Sequence, residues 1–182
     1  MKLWNLLAPA AIVLAPAAIA QGTWQRYATA TGLAAAFPAE PDRFDKWTDI
    51  AKGRVLQLDR FVRNDSGDMQ AYFFLQAVIA DQPYNVDAKL KEEIAQRSGG
   101  GDAAVSRELV SHRALRPDEM VLPGMKGVET VTRYGGFGGG GQIEISHSMY
   151  VGNKWLAVSV RHLEGDKRWS AERFFKSVEW KP

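Results

Sequence analysis

Alternation of apolar and polar residues predicts β-strands over most of the chain, because successive side chains of a strand point to opposite faces. The predicted strands are, in chain order, 24–30, 33–37, 54–63, 69–80, 103–115, 128–134, 142–151 and 154–162. Pro38 and Pro41 end the second strand, since neither offers a backbone donor. The segment 44–53 is ambiguous. The continuous apolar run 71–80 is typical of a strand in the middle of a sheet that is covered on both faces.

Turn residues join several of these strands into hairpins. The segment 64–68, Asn-Asp-Ser-Gly-Asp, favours a turn between the third and fourth strands. Gly152-Asn153 lies between two alternating segments and predicts a tight hairpin. The inward residues of the last two strands are expected to be Ile143, Ile145, His147, Met149 and Val151, followed by Leu156, Val158 and Val160. In the strand 103–115, Val105, Leu109 and Val110 are expected to be buried.

A period of four residues predicts helices in two places. Val86, Leu90 and Ile94 form one apolar stripe, which indicates a helix over 85–97 with Asn85 or Asp87 as its cap. Acid-first pairs at Asp87–Lys91 and Glu93–Arg97 are expected to stabilise it. A second helix is predicted within 166–180, where Trp169, Phe174 and Val178 share one side and Asp166 or Ser170 is the candidate cap. The fold class is therefore α+β, a mainly antiparallel sheet with about two helices packed on it.

The beginning of the chain predicts export. Residues 1–20 combine Lys2, an apolar stretch and the small-x-small end Ala18-Ile19-Ala20, which is the pattern of a signal peptide. A membrane anchor is disfavoured by Pro9 and Pro16. Residues 21–182 then form a single α+β domain, expected to be soluble, without an integral membrane segment, and periplasmic or secreted. The chain has no cysteine, which excludes disulfides, thiolate metal sites and thiol nucleophiles.

The net charge of the chain argues against one class of function, nucleic-acid binding. The whole chain carries a formal charge of +2, and no run of basic residues is present. Such a balance gives no electrostatic footprint for nucleic acid.

The glycine run 135–141 resembles a phosphate-binding loop only superficially. Gly136, Gly138 and Gly141 satisfy G-x-G-x-x-G, but Gln142 and a strand follow, whereas a phosphate loop opens a helix. A hairpin connection is therefore favoured. Phe137 at its tip is a candidate contact for a partner or a lipid, or it folds back onto the sheet.

Other candidate chemistry is weak, and the sequence assigns no catalytic, cofactor-binding, metal-binding or partner-binding residue. His112, His147 and His162 lack metal-site spacing, and His147 is expected to be a hydrogen-bonded core histidine. Ser146 and His147 are neighbours on a strand and point to opposite faces. The carboxylate pairs are Asp42/Asp45, Glu92/Glu93 and Asp118/Glu119, read as loop residues except for Glu92/Glu93, a solvated helix face. The aromatic residues Trp24, Tyr27, Trp47, Trp155, Trp169 and Trp180 suggest either a sugar platform or, preferably, packing.

The order of elements resembles the PsbP-like α/β sandwich of photosystem II extrinsic subunits and of many small bacterial secreted proteins. The likeness rests on the opening strand with Phe37-Pro38 and Pro41, the apolar strand and helix over 71–97, a glycine-marked hairpin, and the closing segment 173–180. It implies a non-enzymatic accessory or scaffold role and carries no site residues across.

Two functions follow as hypotheses. The favoured one is an exported, non-catalytic accessory or binding protein of the cell envelope, without a cofactor, that contacts an envelope protein or component through a sheet edge or the glycine loop 135–141. The alternative is a small secreted hydrolase whose polar residues meet only in three dimensions. A concave pocket with two titratable groups in mutual reach would favour the hydrolase.

Overall fold

A computed structural model describes residues 24–29, 32–38, 40–41, 43–51, 54–65, 71–98, 106–135, 141–165 and 171–182. Of the segments 43–51 and 54–65 it describes the backbone and not the side chains. The predicted signal peptide, 1–20, lies outside the described residues.

Ten strands and two α-helices make up the described chain. The strands are β1 (Gln25–Ala28), β2 (Leu33–Phe37), β3 (Arg43–Ala51), β4 (Arg54–Asp65), β5 (Ala71–Ala80), β6 (Ser106–Ala114), β7 (Lys126–Gly135), β8 (Gln142–Val151), β9 (Lys154–Leu163) and β10 (Glu179–Trp180). The helices are α1 (Val86–Ser98) and α2 (Ala171–Ser177), and a 3-10 helix covers Pro117–Glu119. Neither α-helix is long and apolar enough to cross a membrane.

Two antiparallel sheets organise the fold. The large sheet has the strand order β3-β4-β5-β9-β8-β7-β6, and the small sheet has the order β1-β2-β10. In the large sheet β3, β4 and β5 pair in sequence, as do β6, β7, β8 and β9, and β5 pairs with β9 at the centre. α1 packs on β6, β7 and β8, whereas α2 packs on β2 and β9. The α+β class with a mainly antiparallel sheet and two helices is thus confirmed.

The apolar core lies on one face of the large sheet, which we call the α2 face and which carries Ile145, His147 and Met149 of β8. There, Phe73 of β5 packs edge-on against Phe37 of the small sheet and Phe174 of α2. Fully buried side chains of this layer include Leu33, Phe37, Phe73, Leu75, Leu156, Val158, Val160 and Phe174. Burial of these apolar groups is the main stabilising contribution to the fold.

The opposite face, which we call the α1 face, buries polar side chains beside the apolar residues Val78, Val128, Tyr150 and Ala157. Its buried polar side chains are Gln76, Thr130, Thr132, Glu144, Ser146, Ser148 and Ser159. No residue of α1 itself is buried. Arg97 of α1 forms an ion pair with Glu144 and donates to Ser146, and Tyr150 donates to Glu93 at 2.8 Å. The attachment of α1 is therefore made largely by polar contacts.

Most predicted elements are present, with four corrections. The segment 44–53, which was ambiguous from sequence, contains most of β3, Arg43–Ala51, and residues 52–53 lie outside the described residues. β6 is the edge of the large sheet, so Val110 is 44% exposed and Leu109 only half-buried, whereas Val105 lies outside the described residues. The predicted closing helix ends at Ser177, and the last two residues of its range form β10 against β2. On α1, Asp87 pairs with Lys126 and Arg97 with Glu144, rather than along the helix.

Candidate functional site

A row of three charged or titratable side chains crosses neighbouring strands on the α2 face. The register places Arg113 of β6 opposite Glu129 of β7, and Glu129 opposite His147 of β8. Residues opposite one another in antiparallel strands share a face and are in contact distance. Arg113 donates from Nε and Nη2 to the two carboxylate oxygens of Glu129 at 2.9 and 2.8 Å. His147 Nε2 lies 2.9 Å from Glu129 Oε2.

The loop between β6 and β7 adds a second carboxylate to this row. Glu119, at the end of the 3-10 helix, accepts two hydrogen bonds from Arg113, each of 2.8 Å. The backbone N–H of Arg116 donates to Glu119 Oε2 at 2.7 Å, which closes the turn. Arg113 therefore holds Glu119 and Glu129 together, a paired geometry that a planar guanidinium favours.

Helix α2 completes a cleft around His147. The ring of Phe175 stacks on the imidazole with a centroid distance of 4.0 Å and an interplanar angle of 30°. The space between α2, β7, β8 and the loop is about 570 Å³, within the usual range for small-molecule sites. We call it the His147 cleft; it is lined by Arg113, Arg116, Asp118, Glu119, Met120, Val121, Glu129, Ile145, His147, Ala171, Glu172, Phe175, Lys176 and Val178.

The pKa values of the row follow from burial and pairing. Burial lowers the pKa of His147 below its ordinary value, although its hydrogen bond with Glu129 acts in the opposite direction. Hydrogen bonds from Arg113 and from the Arg116 backbone lower the pKa of Glu119 to about 2. His147 is therefore neutral and Glu119 is ionised at neutral pH. Since both carboxylate oxygens of Glu129 accept from Arg113, the proton of the contact with His147 is assigned to Nε2, which leaves the lone pair on Nδ1.

This arrangement has some, but not all, of the parts of a hydrolytic site. A neutral imidazole oriented by a carboxylate is the base half of a nucleophile–base pair. The described lining of the His147 cleft contains no hydroxyl or thiol nucleophile. Within the described lining, a water molecule is therefore the candidate nucleophile for His147 to activate. The two titratable groups in mutual reach that the hydrolase hypothesis requires are present as His147 and Glu129.

The structure separates the histidines and serine that the sequence raised as candidates. His147 is buried and hydrogen-bonded, as expected. Ser146 points to the α1 face and accepts from Arg97, so it cannot reach its neighbour. His112 lies exposed on β6, and His162 contacts the carbonyl of Leu163 at 2.8 Å. In the part of the chain that is described, no three His, Asp or Glu side chains form a group that could hold a metal ion.

The glycine run joins two paired strands. β7 and β8 pair antiparallel as far as Tyr134 and Gln142, which confirms the predicted hairpin connection. Residues 136–140, including Phe137, lie outside the described residues, so the contact proposed for Phe137 is not tested.

The carboxylate pairs and aromatic residues have different outcomes. Glu93 is half-buried and accepts from Tyr150, which corrects its assignment to a solvated face, whereas Asp118 and Glu119 line the His147 cleft. Trp180 is buried, and Trp24 packs edge-on against Phe73 at 5.9 Å. Residues outside the described side chains are Asp42, Asp45, Trp47 and Trp169.

Sequence reasoning missed the partners of His147. Glu129, Arg113 and Phe175 come from three elements and meet only through the pairing of β6, β7 and β8 and the docking of α2. One signal was available: in the predicted strand 128–134, Glu129 alternates with Val131 and so shares a face with it. Its partner depends on strand register, which the loop lengths do not specify.

Comparisons with known proteins add no family. Neither the scan against protein-family models nor the search of curated proteins gave a match.

Proposed function

We propose that the mature chain is an exported, non-catalytic binding protein of the cell envelope, on a PsbP-like α/β scaffold, that uses the His147 cleft to contact an envelope protein or component. The pattern of Lys2, an apolar stretch and Ala18-Ile19-Ala20 supports export. The antiparallel sheet with a helix on each side is compatible with the proposed scaffold. The location proposed is the periplasm or the exterior.

One observation carries the binding role: the charged side chains that line the His147 cleft are paired with each other. Glu119 and Glu129 are held by Arg113, Asp118 pairs with Arg116 at 3.3 Å, and Glu172 pairs with Lys176 at 2.6 Å. In such a site the ionised groups are committed to one another, and the apolar side chains of Met120, Val121 and Phe175 lie between them. That composition suits recognition of a surface more than acid–base turnover.

A hydrolase that activates water is the second candidate. It is favoured by the 2.9 Å contact between His147 Nε2 and Glu129 and by the free lone pair of Nδ1. In this reading Glu129 is a positioning residue for the imidazole.

In-cell cross-linking separates these functions. The full precursor is expressed in a bacterium with two membranes, with a photo-reactive amino acid at Lys176, on the rim of the His147 cleft, or at Lys91, on the exposed side of α1. We expect a periplasmic product that lacks residues 1–20 and gives a discrete adduct from position 176 but not from position 91. A cytoplasmic product of full mass would refute export, and equal adducts from both positions would refute a role for the cleft.

Turnover assays test the alternative on the same protein. Purified mature chain is tested with ester, peptide and glycoside substrates beside His147→Gln and Glu129→Gln, and the fold of each variant is checked by circular dichroism. The binding proposal expects no turnover above buffer. Turnover that disappears in a folded His147→Gln variant would establish the hydrolase instead.

A further inference from the structure

A second concavity lies at the end of the large sheet where β6 ends and β7 begins. It has a volume of about 770 Å³ and runs between α1 and the loop that joins β6 to β7. We call it the terminal groove; it is lined by Leu90, Ala114, Leu115, Pro117, Met120, Val121, Leu122, Pro123, Gly124, Met125, Lys126 and Gly127. Met120 and Val121 also line the His147 cleft, so the loop is a wall between the two cavities.

The local sequence keeps the terminal groove open. Pro117 and Pro123 supply no backbone donor, and Gly124 has a φ of 77°, so the loop cannot continue either strand. Arg113 fixes one end of the loop through Glu119. The other end is closed by the hydrogen bond from Leu115 N to Gly127 O at 2.9 Å. The groove is therefore bounded by a braced loop on one side and a helix on the other.

The groove is apolar and continuous with the core. Leu115 and Met125 are buried members of the core, and Met120, Val121 and Leu122 pack against it while partly exposed. Methionine side chains are unbranched and flexible, so they adapt to a ligand of variable shape. A chain of methylene groups placed here would leave water for an apolar surface, which is the general driving force of such binding.

One charge stands at the rim. Of the residues that line the terminal groove, Lys126 is the one that carries a charge. Its ammonium lies 3.2 Å from Asp87 of α1, and the two side chains are 65% and 74% exposed. An ion pair this exposed to solvent is weak. A ligand carboxylate can therefore replace Asp87 at little cost.

We propose that the terminal groove binds a long-chain fatty acid, with its hydrocarbon tail between Leu90, Leu115 and Leu122 and its carboxylate on Lys126. The apolar lining recognises the tail, and the single cation complements the anionic head. This inference goes beyond the proposed function, because it concerns a different cavity and does not require the His147 cleft to bind anything.

The test is a fluorescence titration of the purified mature chain with a polyene fatty acid, beside the alcohol of the same chain. We expect saturable 1:1 binding of the acid, with an affinity about threefold higher than that of the alcohol. Lys126→Gln should lower the affinity for the acid about threefold and leave the affinity for the alcohol unchanged. Asp87→Asn should raise the affinity for the acid about twofold, because it removes the carboxylate that competes for Lys126. Lys181 is an exposed lysine beside β10, so Lys181→Gln is the matched control and should leave the affinity for both ligands unchanged.

The opposite responses of the two halves of one ion pair separate ligand binding from a purely structural role, in which both substitutions would act in the same direction. Leu122→Asp should abolish binding of both ligands, whereas Leu122→Met should retain it. Circular dichroism checks that each variant is folded. An acid-to-alcohol affinity ratio that Lys126→Gln leaves unchanged would overturn the proposal. A folded parent chain that binds no acid would also overturn it. The same holds if light scattering shows a dimer in which a second copy occupies the groove.

Discussion

Two adjacent phenylalanines of α2 give the sharpest test of how this helix is docked. Phe174 is fully buried and contacts Phe37 and Phe73 edge-on, with ring centroids 5.1 and 5.2 Å away. Phe175 is half-buried and stacks on His147 in the cleft. The side chains are identical and differ by one position on the same helix. Alanine at each site therefore compares a core position with a cleft position without a change in chemistry.

The magnitudes follow from burial. Phe174→Ala removes a fully packed ring and leaves a cavity, so the free energy of unfolding should fall by about 3–5 kcal/mol. For a chain of this size that corresponds to a fall in melting temperature of about 6–20 °C. Phe175→Ala removes roughly half as much buried apolar area and one stacking contact, so its cost should be about 1–2 kcal/mol.

Urea unfolding followed by tryptophan fluorescence and by far-ultraviolet circular dichroism measures both variants. The two variants can be compared if both signals give the same transition and if the slope of the unfolding free energy against urea concentration is unchanged. If both variants lose the same free energy, or if Phe174→Ala loses less than about 1 kcal/mol, then α2 does not dock with Phe174 in the core.

Three further substitutions test two local contacts by urea unfolding. The folded pKa of Glu119, about 2, lies below its ordinary 4.5, so its carboxylate stabilises the fold above about pH 4.5 and that contribution disappears as the pH falls towards 2. Glu119→Gln should cost about 1–2 kcal/mol at pH 7, and the two curves should converge near pH 2; a constant difference would refute the pairing with Arg113. Gly32 and Gly165 have φ of 80° and 84°, but a Cβ on Gly32 would lie 2.1 Å from the Lys181 carbonyl oxygen, whereas Gly165 has open space. Gly165→Ala should cost about 1 kcal/mol and Gly32→Ala clearly more than 2; equal costs would contradict this contact.

Periodicity was sufficient where an element is local and regular. The strand 142–151 and the Gly152-Asn153 turn were predicted with the bounds that the structure has, and His147 lies on the expected face. A side-chain period of two and a two-residue turn are properties of the local chain, so the sequence contains them.

Periodicity failed where the surroundings decide. In β6 the register shifts between Leu109 and Ser111, so Val110 is an extra residue at the edge and its outward position does not follow from alternation. At the end of the chain, the hydroxyl of Ser177 bonds to the backbone of Phe174 and Ala36, which ends α2 and starts the pairing with β2. Neither the exposure of Val110 nor the end of α2 can be predicted from the sequence unless the neighbouring strand is known.

Of the residues in the His147 cleft, the sequence predicted the burial and hydrogen bonding of His147 alone. The remaining parts of the cleft depend on the register of three strands and on the segment that connects β6 to β7, which brings Glu119 back beneath Arg113. Hydrophobic patterning specifies which residues face inward and not which polar partners meet, because a charge on an inward face is itself an exception to the pattern.

The unequal chemistry of the two sheet faces has a consequence for how the protein opens. The face under α2 is closed by interlocking aromatic rings, whereas no residue of α1 is buried and its hydrogen bonds and ion pairs reach the sheet through side chains that include Arg97 and Glu93. Water can take over those contacts one at a time, so the amide protons of α1 should exchange with solvent by local release of the helix, well before the central strands β5 and β9 exchange by global unfolding. The α2 side of the fold should therefore open only on global unfolding, whereas the α1 side should open locally.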